Sequence, residues 1–277
     1  MTLTTVDAFA SGPFSGNPAA VCVLEAPAPE TWMQALAGEM NLSETAFVTS
    51  QGDGALAAPT SRFGLRWFTP AVEVDLCGHA TLAAAHVLYE SGQLAEGDEA
   101  QFDTRSGRLA VRRVGGGAYT MDFPATPPAE HAAPAALADA LRQPPVWTGR
   151  SRFDWFAVLE SEADVRALDP DPAVVAALGM RGLIVTARAD GGRDYAVASR
   201  FFAPNAGVDE DPVTGSAHCA IGPYWAERLG TDRVACFQAS ARGGRVEVRV
   251  AGDRVELTGR AVTVYRAELA PAARPPS

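Results

Sequence analysis

Two stretches of this chain repeat one another, and the repeat limits the folds open to it. The first runs Arg66-Trp67-Phe68-Thr69-Pro70, then, eight residues on, Gly78-His79 and an apolar helix closing at Gly92. The second runs Arg200-Phe201-Phe202-Ala203-Pro204, then, eleven residues on, Gly215-Ser216 and a helix closing at Gly230. Strand, Pro-bearing loop, Gly, apolar helix and closing Gly recur in one order, which points to a duplicated unit rather than a chance string. The first helix, His79–Tyr89, carries Ala, Leu and Val on almost every face. A helix apolar all round is buried on all sides, so its natural housing is a sheet wrapped round it. The expected fold is α+β, with two pseudo-symmetric domains, each a curved β-sheet or barrel around a central helix, and a cleft between them. The domains are placed at 1–124, around a helix at about 79–90, and at 125–277, around a helix at about 216–229. In this reading the last strand, Val262–Arg266, is free to cross back to the first domain.

The rest of the chain fits that plan. Val6–Phe9 and Ala19–Leu24 read as a hairpin across a Gly/Pro turn, and Glu30–Met40 as a helix with Trp32, Leu36 and Met40 on one side. Ala46–Thr49, Gly64–Phe68, Gln101–Thr104, Leu109–Arg113 and Tyr119–Phe123 read as strands. The Pro/Ala-rich segment Pro124–Pro145, with one helix at Ala133–Arg142, is the boundary candidate. Phe153–Leu159, Gly182–Thr186, Tyr195–Phe202, Arg245–Val250, Arg254–Leu257 and Val262–Arg266 are strand-like. Pro223 falls inside the second repeat helix and is expected to kink it or delay its start. The aromatics Trp32, Trp67, Phe68, Trp155, Phe201, Phe202 and Trp225 read as core.

Composition excludes several chemistries. All basic residues other than His are Arg; the chain has no Lys. A pyridoxal phosphate enzyme needs a lysine for its Schiff base, and a Walker phosphate loop needs one for its phosphates, so both are out. The net charge of -10 argues against nucleic acid. The four cysteines, Cys22, Cys77, Cys219 and Cys236, are widely spaced and read as reduced thiols of a cytoplasmic protein. No signal peptide is visible, and Leu76–Tyr89, the longest helical apolar stretch, is too short to span a bilayer. With no HExxH and no paired Cys/His spacing, neither a metal site nor a cofactor is read.

The chemistry-bearing residues gather at the repeat. Each helix starts just after a Gly, at Gly78-His79 and at Gly215-Ser216. Helix N-termini present unpaired N–H groups and partial positive charge, so two of them at one cleft bind a carboxylate without any lysine. Asn41-Leu42-Ser43-Glu44-Thr45 places a carboxylate in a short loop before a strand, and Asp209-Glu210-Asp211-Pro212 precedes the second helix. Carboxylates at a cleft can carry a proton if burial raises one of them towards neutral pH, and Leu42, Ala46 and Phe47 flank Glu44 with apolar surface. Local sequence alone equally allows Glu44 to be a loop or helix-cap carboxylate. His86 and His218 read as helix residues with local hydrogen bonds, and His131 as surface.

Four strings carry a resemblance: Val6-Asp7-Ala8-Phe9 with Gly16-Asn17-Pro18-Ala19, then Asn41-Leu42-Ser43-Glu44-Thr45, then Cys77-Gly78-His79-Ala80-Thr81, then Glu210-Asp211-Pro212-Val213-Thr214-Gly215-Ser216-Ala217. In this order, over nearly the whole chain, they resemble the phenazine-biosynthesis PhzF-like family. The resemblance implies the diaminopimelate-epimerase-like fold and a homodimer. It also implies a cofactor-independent isomerase of a small carboxylate substrate, similar to trans-2,3-dihydro-3-hydroxyanthranilate isomerase. Glu44 would be the general acid/base, with His79 and Asp211 orienting and polarising the substrate. Gly215 and Ser216 would hold its carboxylate, and Gly78 and Asn17 would join in binding it.

Two other readings stand beside this one. A racemase or epimerase of the same fold uses two thiols, one from each domain; Cys77 lies where one would sit, but the second helix start has Asp211-Pro212 and no cysteine before Cys219. A non-catalytic binder of small carboxylates would keep the fold and lose Glu44 or Asp211, and both are present.

Overall fold

The structure, a computed structural model, describes residues 1–50 and 61–276. In chain order the elements are β1 (Thr2–Ala8), β2 (Asn17–Leu24), α1 (Glu30–Met40), β3 (Glu44–Ser50), β4 (Arg62–Phe68), β5 (Glu73–Val74), α2 (Gly78–Glu90), β6 (Glu99–Thr104), β7 (Gly107–Val114) and β8 (Ala118–Pro124). They continue with β9 (Ala129–Glu130), α3 (Ala135–Leu141), β10 (Trp147–Arg150), β11 (Asp154–Val158), α4 (Glu162–Ala167), α5 (Pro172–Ala176), β12 (Gly182–Arg188), β13 (Val197–Phe202), α6 (Gly215–Leu229), β14 (Arg233–Gln238), β15 (Gly244–Ala251) and β16 (Arg254–Glu268). The chain divides into two compact units, Met1–Asp122 with Thr258–Ser277, and Phe123–Leu257. The two strands read at Arg254–Leu257 and Val262–Arg266 are one strand, β16, which begins in the second unit and ends in the first, where it pairs with β1.

The repeat is visible in the pairing. In the first unit β1–β2 is antiparallel, β2–β3 parallel, β3–β4 antiparallel, β4–β6 parallel and β6–β7 antiparallel. In the second unit β10–β11, β11–β12, β12–β13, β13–β14 and β14–β15 follow the same alternation. Parallel neighbours need a crossover, and helices supply it: α1 and α2 in the first unit, the α4–α5 pair and α6 in the second. The first unit then closes through β8 and β16 back to β1, giving an eight-stranded barrel.

Matching ion pairs sit at matching places. Arg66 donates from Nε and Nη2 to Glu73 at 2.7 and 2.6 Å, and Arg200 donates from Nε and Nη2 to Glu210 at 2.7 and 2.8 Å. Each guanidinium lies over the Phe two residues on, 5.1 Å from the Phe68 ring and 4.8 Å from that of Phe202. Each Glu stands five residues before its helix glycine, so the three extra residues of the second copy fall between Pro204 and Glu210. There the chain makes one 3-10 turn at Pro204–Ala206.

The central helices are housed as their apolarity requires. His79 through Tyr89 of α2 are all buried, and the helix packs on β1, β2, β3 and β7. Helix α6 packs on β14 and β15, so closely that a Cβ at Gly222 would lie 2.3 Å from Val248 Cγ1. Pro223 does not break α6, which runs from Gly215 to Leu229. Proline has no N–H to offer the carbonyl four residues back. That carbonyl, of Cys219, instead accepts the backbone N–H of Thr126 at 2.9 Å. Six of the seven aromatics read as core are buried; Trp32 is half-buried and donates from its indole N–H to the Ala273 carbonyl at 3.0 Å. His131 is exposed, and all four cysteines are buried thiols in no disulfide.

Candidate functional site

In the first unit the candidates converge at the start of α2. Helix α1 ends on Asn41, in the left-handed region at φ 49°, and the chain turns into β3. Glu44 is the first residue of β3, so it does not lie in a loop as its string suggested. Its backbone registers with Ala19 of the parallel strand β2, where strand pairing fixes it more firmly than a loop would. Asn17, wholly buried, opens β2 opposite Ala8. The preceding Gly16 has φ +70°, and a Cβ there would meet the Ala8 carbonyl at 2.2 Å, so only glycine fits. The buried Asp7 accepts the Phe14 N–H at 2.7 Å and so holds the turn before Gly16.

His79, the second residue of α2, brings Nε2 to 3.2 Å from Glu44 Oε2. On the other side of the ring, Nδ1 lies 3.5 Å from Cys77 Sγ. Burial pushes the His79 imidazole down to about 3, against the opposing pull of the Pro18 carbonyl. Near neutral pH the ring is therefore neutral, and its approach to Glu44 is a carboxylate beside an imidazole rather than an ion pair. Cys77 is the residue before the helix, in extended conformation, and its side chain caps no helix N–H. Gly78 follows, half-buried.

In the second unit Asp211 and Thr214 form a fixed turn before α6. Thr214 donates from its hydroxyl to Asp211 Oδ2 at 2.5 Å. Gln238, on β14 and wholly buried, donates to the Asp211 carbonyl at 2.7 Å and accepts the Thr214 N–H at 2.9 Å. Because the Thr214 hydroxyl is turned to Asp211, it caps none of the first N–H groups of α6. Those groups belong to the turn of Gly215 and Ser216, where Gly215 is buried and Ser216 half-buried. His218, buried one turn on, donates from Nδ1 to the Thr214 carbonyl at 2.8 Å, and burial pushes its imidazole down to about 4.

His86 does more than bond locally. Thr263 donates to Glu90 at 2.6 Å, so its oxygen is left to accept from His86 Nε2 at 3.0 Å. Nδ1 then accepts the Tyr119 hydroxyl at 2.9 Å. This chain joins α2 to β8 and β16 of the barrel.

The register of the repeat compares the two copies residue by residue. Phe68 faces Thr45 across β3–β4, and Phe202, its counterpart, faces Leu183 across β12–β13. The counterpart of Glu44 is therefore Gly182, which has no side chain. The residues before the two helix glycines, Cys77 and Thr214, correspond, as do His79 and Ser216. The duplication has placed a carboxylate, a thiol and an imidazole in one copy and hydroxyls in the other. Reading the strings alone missed Gln238 and the closeness of Cys77 to His79. Gln238 stands 24 residues beyond Thr214, in a strand with no local signal of its partner.

The family model described as phenazine biosynthesis-like protein matches residues 6–267. A protein of Halalkalibacterium halodurans named an uncharacterized isomerase is 46% identical over 265 residues, covering 95% of this chain and 96% of its own. The crystal structure of an Enterococcus faecalis phenazine biosynthesis protein of the PhzF family matches with a TM-score of 0.89 at 40% identity, covering 97% of this chain and 99% of that one. A probable proline racemase from Agrobacterium radiobacter matches with a TM-score of 0.60 at 13% identity, over 98% of this chain and 95% of its own. That last likeness shows the fold alone, which is diaminopimelate-epimerase-like.

Proposed function

The chain belongs to the phenazine biosynthesis-like protein family, and on that premise we propose that it is an isomerase that moves a proton on a small carboxylate substrate, with Glu44 as the proton carrier. Glu44 takes a proton from one carbon of the substrate and returns it to another. Bonds and charge balance within that step: one C–H bond breaks, one forms, and no electron leaves the substrate, so the reaction draws on no cofactor. His79, neutral at working pH, polarises the substrate beside Glu44 as a hydrogen-bonding dipole. Asp211 orients it, and Ser216 with the Gly215–Ser216 backbone holds its carboxylate at helix N–H groups that the Thr214 side chain does not cap. Gly78 and Asn17 complete the binding surface.

The observation that carries this reading is the asymmetry of the repeat. One carboxylate stands in contact with a neutral imidazole, while its counterpart is Gly182, and Cys77 has Thr214 in place of a second thiol. A racemase with paired thiols lacks its second acid/base here; a single-carboxylate proton carrier lacks nothing. The reading includes a cytoplasmic location and a homodimer, and light scattering of the purified protein checks the dimer.

The test is proton exchange in heavy water, followed by NMR, on dihydro-hydroxyanthranilate and a panel of unsaturated and amino carboxylic acids. The expected result is deuterium uptake or isomerisation of at least one compound without added cofactor, absent in Glu44→Gln. No exchange on any compound, with carboxylates still bound, would point to a substrate outside the panel or to a non-catalytic carboxylate binder.

A further inference from the structure

We propose that Glu44, Cys77 and His79 form a binding site for a thiophilic divalent cation of the zinc class, and that such a cation switches the proton carrier off. One ligand atom from each of the three residues lies within 4.8 Å of the others. Tetrahedral zinc, with bonds of about 2.0–2.3 Å, sets its ligand atoms about 3.3–3.7 Å apart, so the approach of His79 Nε2 to Glu44 Oε2 at 3.2 Å is already near coordination spacing. The Cys77 sulfur, 3.5 Å from Nδ1 of the same ring, must move towards Nε2 and Glu44 to close the set.

A second observation points to a ligand at this place. His79 is 5% exposed, and its Nε2 makes no hydrogen bond of acceptable geometry although Glu44 Oε2 is 3.2 Å away. A buried nitrogen without a hydrogen bond loses the hydration it had in water. A neutral imidazole nitrogen 3.2 Å from a carboxylate oxygen is placed to share a cation with it. The donor set has the right chemistry: thiolate and imidazole select zinc over magnesium or calcium, and the carboxylate adds charge. Thiolate and carboxylate together balance a divalent ion, so coordination removes net charge from a buried place and releases the Cys77 proton. Three protein ligands leave the fourth position to water or to a substrate carboxylate.

The sequence conceals this site because its donors are 35 residues apart at the extremes and match no metal-binding spacing. The corresponding positions of the second copy, Gly182, Thr214 and Ser216, offer no such set. The site stands on donor geometry alone; that its occupation stops proton transfer rests on the isomerase reading. A cation bound to Glu44 occupies the lone pairs that proton transfer needs.

Cobalt(II), which reports tetrahedral thiolate coordination by colour, is the probe. The full chain, stripped with a chelator, is titrated with cobalt(II), and zinc is then measured by competition with a chromophoric chelator. Wild type should develop a thiolate-to-cobalt charge-transfer band that saturates at one equivalent and is displaced by zinc. Cys77→Ser should lose that band and weaken zinc by at least about tenfold. Glu44→Gln should weaken zinc while keeping the band, which supplies a second check if Cys77→Ser melts early. A wild type with no charge-transfer band, or a folded Cys77→Ser with unchanged zinc affinity, would overturn the site. Turnover is not read, so a failed isomerase assay leaves this result intact.

Discussion

Gln238 shows how much one side chain holds in place. Its amide satisfies the Thr214 N–H and the Asp211 carbonyl, and its NH₂ also lies 3.2 Å from the Thr214 hydroxyl. Truncation leaves buried backbone groups without partners, and each such group costs about 1–3 kcal/mol. Gln238→Ala should therefore lower the thermal midpoint by several degrees and raise KM for the substrate more than it lowers kcat, because Asp211 and the first turn of α6 lose their common support. Circular-dichroism melts and steady-state kinetics check this; an unchanged midpoint would show that the turn holds itself. The strings around Glu44, His79, Asp211 and Ser216 made those residues legible as candidates. Their surroundings were not: Glu44 proves to be a strand residue because β2, in register with it, is far away in sequence, and no local pattern reports a parallel partner.

At the scale of elements, close approach governs what the sequence tolerates. Gly222 lets α6 lie against β15, and an added methyl would meet Val248 Cγ1 at 2.3 Å. Overpacking of this kind costs about 1–3 kcal/mol. Gly222→Ala should destabilise by that order, and Val248→Ala in the same chain should return part of the loss, which a double-mutant cycle in urea measures. Additivity of the two substitutions would contradict the contact. The long periodic elements were legible: α1 spans the predicted Glu30–Met40, and β1–β4 and β6–β8 differ from expectation only at their ends, while β16 joins two strands read separately. Short elements escaped. Helix α4 has its capping box in plain view, Ser161 with Asp164, but six residues carry too little periodicity to announce a helix. Strand β14, Arg233–Gln238, alternates buried and less buried residues, yet Arg, Cys and Gln obscure the pattern.

At the scale of the whole molecule the duplication explains both the architecture and its asymmetry. The same strand order and the same Arg–Glu clamp recur, while the reactive groups differ. The Arg-aromatic-Phe-x-Pro string was enough to expose the repeat; the matching of Glu44 with Gly182 needed the strand registers. Both copies also bury a neutral histidine, His79 and His218, with imidazoles pushed down to about 3 and about 4. An unfolded chain protonates both near about pH 6.5, so it binds protons there that the folded chain refuses. Stability should hold above that pH and fall as pH drops from about 6.5 towards 4, by roughly 2 kcal/mol per histidine at pH 5. Urea unfolding at pH 7.5 and pH 5 reads the difference, and His218→Gln should reduce it; a flat profile would mean that the rings are protonated in the folded protein.

The central claim is that one carboxylate, not a thiol, moves the proton. The most direct measurement compares Glu44→Gln with Cys77→Ala on whichever panel compound the wild type exchanges, in metal-free heavy water, with folding of each variant checked by circular dichroism. The account predicts that Glu44→Gln loses about 10²–10⁴ in exchange rate while Cys77→Ala stays within a few fold of wild type. Exchange that survives in Glu44→Gln and vanishes in Cys77→Ala would contradict it and make the thiol the acid/base.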